Sequence, residues 1–114
     1  MKYISQSQRT TVRTSDATTA VEYDTGSTTI NAAVINIAGR YPANGWASNS
    51  ASTSLIYIIA GHGSAIVDSQ EVLLYKDDQL LIDVGEKYVF EGHLQILYAA
   101  TPAWTREQAE HLLD

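Results

Sequence analysis

The chain has 114 residues and carries 7 Lys+Arg against 13 Asp+Glu, for a formal net charge of -6. Hydrophobic residues make up 45% and charged residues 18%, which excludes a disordered chain, since disorder needs low hydrophobicity and high charge. The acidic excess lacks the basic footprint of a nucleic-acid or anionic-membrane binder, and the absence of cysteine excludes disulfides, thiolate nucleophiles, zinc fingers and iron–sulfur clusters.

Residues 1–17 run polar after Lys2 and predict an N-terminal arm or edge strand of one domain spanning 1–114. No apolar signal core follows, and no window approaches the ~18 apolar residues that span a bilayer, so a soluble cytoplasmic protein is expected. Val21 and Tyr23 alternate with polar neighbours before a turn at Asp24-Thr25-Gly26. Ile30 to Ala38 is an apolar run closed by Gly39. Ser48 to Ser54 reads as a loop or irregular edge. Leu55 to Ala60 is a second apolar run, closed by Gly61-His62-Gly63. Ala65–Val67, Val72–Tyr75, Leu80–Ile82, Tyr88–Phe90 and Leu94–Ala100 follow, separated by turn residues at Asp68-Ser69-Gln70, Asp77-Asp78, Asp83 to Glu86 and Glu91-Gly92. Short strands at this spacing predict an all-β sandwich or barrel. Leu55 to Ile59 is apolar on both faces, so its outer face needs a cover, and the partner expected there is a second copy in a homodimer. Thr105 with Gln108 forms a capping box, flanked by Trp104 and Ala109, and predicts one short C-terminal helix over 105–113, ending near Leu113.

The order of these elements resembles the cupin family, the double-stranded β-helix or jelly-roll barrel. The resemblance covers roughly residues 30–104. Gly61 matches the glycine that closes the family's first motif, G-x5-H-x-H-x3,4-E-x6-G; Asp78 and Gly85 match the second, G-x5-P-x-G-x2-H-x3-N. Counting back from Gly61 places the family's glutamate ligand at Ser54 and its histidine pair at Ala47 and Asn49, or at Ser48 and Ser50. Counting forward from Gly85 places the third histidine at Tyr88. None of these side chains replaces imidazole or carboxylate, so the resemblance implies a cupin without a metal or other cofactor. Gly39-Arg40-Tyr41-Pro42, Asn49 and Pro102-Ala103-Trp104-Thr105-Arg106-Glu107-Gln108 resemble small single-domain cupins described as sugar-phosphate-isomerase-like or sugar-binding.

The three histidines, His62, His93 and His111, show no metal-ligand spacing. Asp77, Asp78 and Asp83 sit at strand ends as turn formers, and Ser64 lacks the nucleophile elbow. If Ser54 and Tyr88 point inward as the family's ligands do, the barrel has apolar walls with a few hydroxyls and the Asn49 amide, which suits a small-molecule site. The expected ligand-binding residues are Trp46 as a wall and Asn49, Ser54 and Tyr88 as polar groups, with Tyr88 the candidate catalytic acid. The expected ligand is a small polar metabolite, a carbohydrate or derivative. The alternatives are an isomerase- or epimerase-like enzyme using His93 or Glu91, and a dimerisation module with a filled barrel.

Overall fold

Alternation of inward apolar and outward polar residues sets the architecture. In the computed structural model, which describes residues 1–112, a short 3-10 turn at Gln6–Gln8 precedes β1 (Thr10–Ser15), β2 (Thr18–Glu22) and β3 (Asn31–Tyr41). Then come β4 (Trp46–Asn49), β5 (Thr53–Val67), β6 (Gln70–Tyr75), β7 (Gln79–Ile82) and β8 (Tyr88–Thr101). A second 3-10 turn at Arg106–Gln108 leads into β9 (Ala109–Leu112). All pairings are antiparallel, and β8 is the hub. β3 flanks it on one side with β2 and β1 beyond; β5 flanks it on the other, and β6 and β7 pair with the two halves of β5. The sheet curls into the expected all-β barrel. No helix among the described residues is long and apolar enough to cross a membrane.

On β5, Ser54, Ile56 and Ile58 point inward at 2%, 0% and 0% exposure, while Leu55 and Tyr57 face out. Ile37, Phe90, Leu94 and Ile96 complete the core from β3 and β8. Each such side chain contributes about 1.5–3 kcal/mol by leaving water.

The glycines expected to end strands do not end them. β3 continues through Gly39, β5 through Gly61 and Gly63, and β8 through Gly92, each pairing in register on both sides of the glycine. Gly39, Gly92 and Gly63 stand side by side in one row across the three longest strands. A Cβ at Gly92 would lie 2.6 Å from the Gly63 Cα, and a Cβ at Gly63 would run into the Glu91 carbonyl oxygen. Gly63 and Gly92 form a crease where backbones approach too closely for side chains, one of the few places a strand interior requires glycine, whereas a Cβ at Gly39 would meet only the Ala17 side chain, at 3.3 Å.

The predicted helix over 105–113 is also corrected. Its capping pair exists, with the Thr105 N–H donating to Gln108 Oε1 at 3.3 Å, but it closes only a 3-10 turn. Ala109–Leu112 then pairs with β4 instead, Ala47 opposite His111 and Asn49 opposite Ala109. A few residues make a marginal helix, whereas β4 offers an unpaired edge to a strand. Leu113 lies outside the described residues.

Gly63→Ala or Gly92→Ala should cost about 3 kcal/mol through forced backbone displacement. Gly85→Ala should cost only about 1–2 kcal/mol, because Gly85 has φ +82° but open space around it. Denaturant-unfolding midpoints check the contrast.

Candidate functional site

The inward positions of β2, β3 and β8 enclose a cavity of about 570 Å3. β2 contributes Thr18, Ala20 and Glu22; β3 contributes Ile35, Ile37 and Tyr41; β8 contributes Tyr88, Phe90, Ile96 and Tyr98. The alternation carries each set to one face. The exposed residues Asp24, Thr28, Thr105 and Arg106 form the open side, with half-buried Trp104 beside them.

Three phenols, of Tyr41, Tyr88 and Tyr98, are among the polar groups that line the cavity. Tyr98 Oη and Ser54 Oγ are 2.6 Å apart. Tyr88 is 5% exposed and its ring meets Phe90 edge-on at 5.6 Å. Burial pushes the Tyr88 hydroxyl well above the usual tyrosine range, assisted by the neighbouring Tyr98 and Tyr41. Burial, and then Tyr98, pushes Tyr41 up to about 12. Both are therefore neutral at physiological pH and available as O–H donors.

The four predicted ligand residues are not brought together. Tyr88 lines the cavity, and Ser54 stands one hydrogen bond behind it, through Tyr98. Asn49 is buried elsewhere: its Oδ1 accepts the N–H groups of Ala51 at 2.8 Å and Ser52 at 2.6 Å, and its Nδ2 donates to Gln108 Oε1 at 3.5 Å. It holds the turn into β5 and is not aimed at the cavity. Trp46 sits on β4 opposite Leu112, also away from the cavity. The wall tryptophan is Trp104 instead, fixed by two bonds to Asn31: the Trp104 N–H donates to Oδ1 at 2.7 Å, and Nδ2 donates to the Trp104 carbonyl at 3.0 Å.

Tyr41, Tyr98, Thr18, Glu22 and Trp104 also line the cavity and were not among the expected ligand residues. The signal was period 2 carried through Gly92: Tyr88, Phe90, Leu94, Ile96 and Tyr98 are all even-numbered, and so are Thr18, Ala20 and Glu22. The matched Gly39-Arg40-Tyr41-Pro42 segment has a division of labour. The Arg40 guanidinium donates to the carbonyls of Pro42 and Gly45 at 2.8 Å each, and so fixes the bend that presents Tyr41 inward.

Other candidates fall outside the cavity. His62 and His93 are exposed and face one another across β5 and β8 on the outer surface, and Glu91 is exposed there too. His111 lies edge-on to Tyr41 at 6.3 Å, on a strand and not at a helix end. Asp77 and Asp78 serve their turn: Asp78 Oδ2 accepts the Tyr75 N–H at 2.8 Å, and Asp77 Oδ1 accepts the Tyr57 hydroxyl at 2.6 Å.

The residues at the ligand positions of metal-binding cupins do not fit a transition metal. Asn49 Oδ1 is committed to two backbone N–H groups, Ser54 to Tyr98, and Tyr88 is held as a neutral phenol. Among the described residues, no three His, Cys, Asp or Glu side chains gather closely enough to hold an ion.

No family model and no curated protein matches the chain. Solved structures do. The nucleoside dehydratase Pac13 superposes with a TM-score of 0.89 at 13% identity, covering 99% of this chain and 92% of its own. A Streptomyces PAC13 variant with uridine gives a TM-score of 0.87 at 12% identity, covering 96% and 89%. The polyketide cyclase RemF from Streptomyces resistomycificus gives 0.74 at 16%, covering 98% and 85%. These likenesses establish a cupin-like fold.

Thr18 is 2% exposed, and its Oγ1 has no hydrogen-bond partner among the described residues. Thr18→Val keeps the shape and removes that unmet hydroxyl, so it should stabilise the unliganded protein by about 1 kcal/mol. Equilibrium denaturation tests the sign.

Proposed function

We propose that the chain binds a small, polar, ring-bearing metabolite, a carbohydrate or carbohydrate derivative, inside the barrel. The cavity of about 570 Å3 carries this reading: its walls are apolar and aromatic, with hydroxyls from Tyr41, Tyr88 and Tyr98. Few polar groups on an apolar wall are what orient a small ligand. Aromatic faces cover a ring, and neutral phenols donate to its oxygens. Binding of uridine, a ribose derivative, within the same fold supports the ligand class. A filled barrel serving only assembly fits poorly with a cavity of this size. The isomerase-like alternative loses its two named groups, since His93 and Glu91 face outward. The buried Tyr88 phenol serves this reading as a hydrogen-bond donor, since burial raises its pKa and weakens it as an acid.

Uridine, ribose and related neutral sugars should raise the thermal midpoint, since a ligand at a hundredfold over its Kd adds about 2.7 kcal/mol. Tyr88→Phe should weaken the bound member about tenfold, through loss of one hydrogen bond of ~1.4 kcal/mol. No shift across the panel would end the proposal.

The outer sheet face extends it. Leu55 pairs with Leu81 on one side and Ala99 on the other, and Tyr57 pairs with Leu97, which pairs in turn with Val34. Leu55, Leu81 and Leu97 are 41%, 56% and 40% exposed, an apolar row suited to a second copy of the chain. Sedimentation should report a dimer that Leu97→Glu reduces to monomer; a monomeric wild type refutes this assembly.

A further inference from the structure

Glu22 is the one carboxylate that β2 carries onto the inner face, two positions beyond Ala20 and four beyond Thr18. It is half-buried and stands in register with Ala33, which is itself in register with Tyr98. Among the described residues its carboxylate makes no hydrogen bond or ion pair, and at half-burial it keeps access to water. On the same strand face, the buried Thr18 hydroxyl is also without a partner. A buried hydroxyl without a partner and a half-exposed carboxylate, separated on one wall by an alanine that leaves room beside them, mark where a ligand's own polar groups belong.

Charge narrows the ligand class. The charged residues lining the cavity are Glu22, Asp24 and Arg106, two anions against one cation. Every other polar group there is neutral, including the phenols of Tyr41 and Tyr88. A carboxylate only accepts hydrogen bonds, and its two oxygens can take a pair of adjacent hydroxyls. A phosphate in this cavity would face like charge in a medium that screens poorly. With a single exposed guanidinium at the edge to answer it, the phosphate would also give up its hydration without full replacement.

We infer that Glu22 is a ligand-contacting, specificity-determining residue, accepting hydrogen bonds from hydroxyls of an uncharged ligand and excluding its phosphorylated form. This rests on the barrel being a carbohydrate-derivative site, as proposed above.

Calorimetric titration with uridine against uridine monophosphate, and ribose against ribose phosphate, tests it. The wild-type chain should bind the neutral member of a pair at least about tenfold more tightly, the scale of one charge-assisted hydrogen bond. Glu22→Gln should weaken the neutral member and shrink that preference to under about threefold, with the thermal midpoint of the free protein unchanged. Glu22→Ala, measured in parallel, guards against a folding defect peculiar to the amide. Phosphorylated members binding the wild type as tightly as neutral ones would overturn the inference. So would an undiminished preference in both variants, and either result would leave the sugar site standing. Failure of the wild type to bind any of the four would overturn the sugar site and the role of Glu22 together.

Discussion

The curl of the barrel rests on a close approach of backbones between Gly92 and Gly63, with Gly39 in the same row on the other side of β8. Three long strands can curl sharply at one level only if side chains are missing there. The 14 residues of β8 then serve both ends of the barrel, pairing with β3 without a break and with β5 through one bulge between Ile58 and Ala60. Because the ladder is continuous, the inward set begun by Tyr88 and Phe90 is still inward at Ile96 and Tyr98, on the far side of the crease. The gathering of phenols into one cavity is therefore a result of what is absent at Gly92 as much as of what is present at Tyr88.

A second constraint closes the structure. Gln108 Oε1 receives the Thr105 N–H, Asn49 Nδ2 and lies 2.9 Å from Ser52 Oγ, while the Gln108 carbonyl accepts the Ser50 N–H at 3.0 Å. One side chain thus joins the turn into β5 to the tail that becomes β9. Asn49 and its serine neighbours, which the motif spacing puts at metal-ligand positions, are here spent on tying the chain to itself.

This explains how far the sequence could be followed. Most strands, the hairpin turn at Asp68-Ser69 with both residues at positive φ, and the Asp77-Asp78 turn were legible, because local chemistry decides them; Ser48 to Ser54, expected as a loop or irregular edge, instead contributes Ser48 and Asn49 to β4 and Thr53 and Ser54 to β5. The glycines were ambiguous: the same residue ends a strand or bends one, and only the neighbouring strand's proximity distinguishes the two. The tail misled because a capping box is local, whereas the free edge of β4 that captures residues 109–112 is not. Motif spacing reached one residue that lines the cavity, Tyr88. The same spacing put Ser54 inward but could not show that Tyr98 already holds its hydroxyl, nor that the Asn49 amide is taken by the turn into β5, since it reports where a residue sits along a strand but not which polar group its side chain has already found.

The placement of the two tryptophans has an optical consequence. Trp104 borders the cavity under a fixed pair of bonds to Asn31, whereas Trp46 is held on β4 away from it. A molecule entering the barrel changes the surroundings of one indole and leaves the other as an internal standard, so the protein's own fluorescence separates occupancy of the cavity from loosening of the tail.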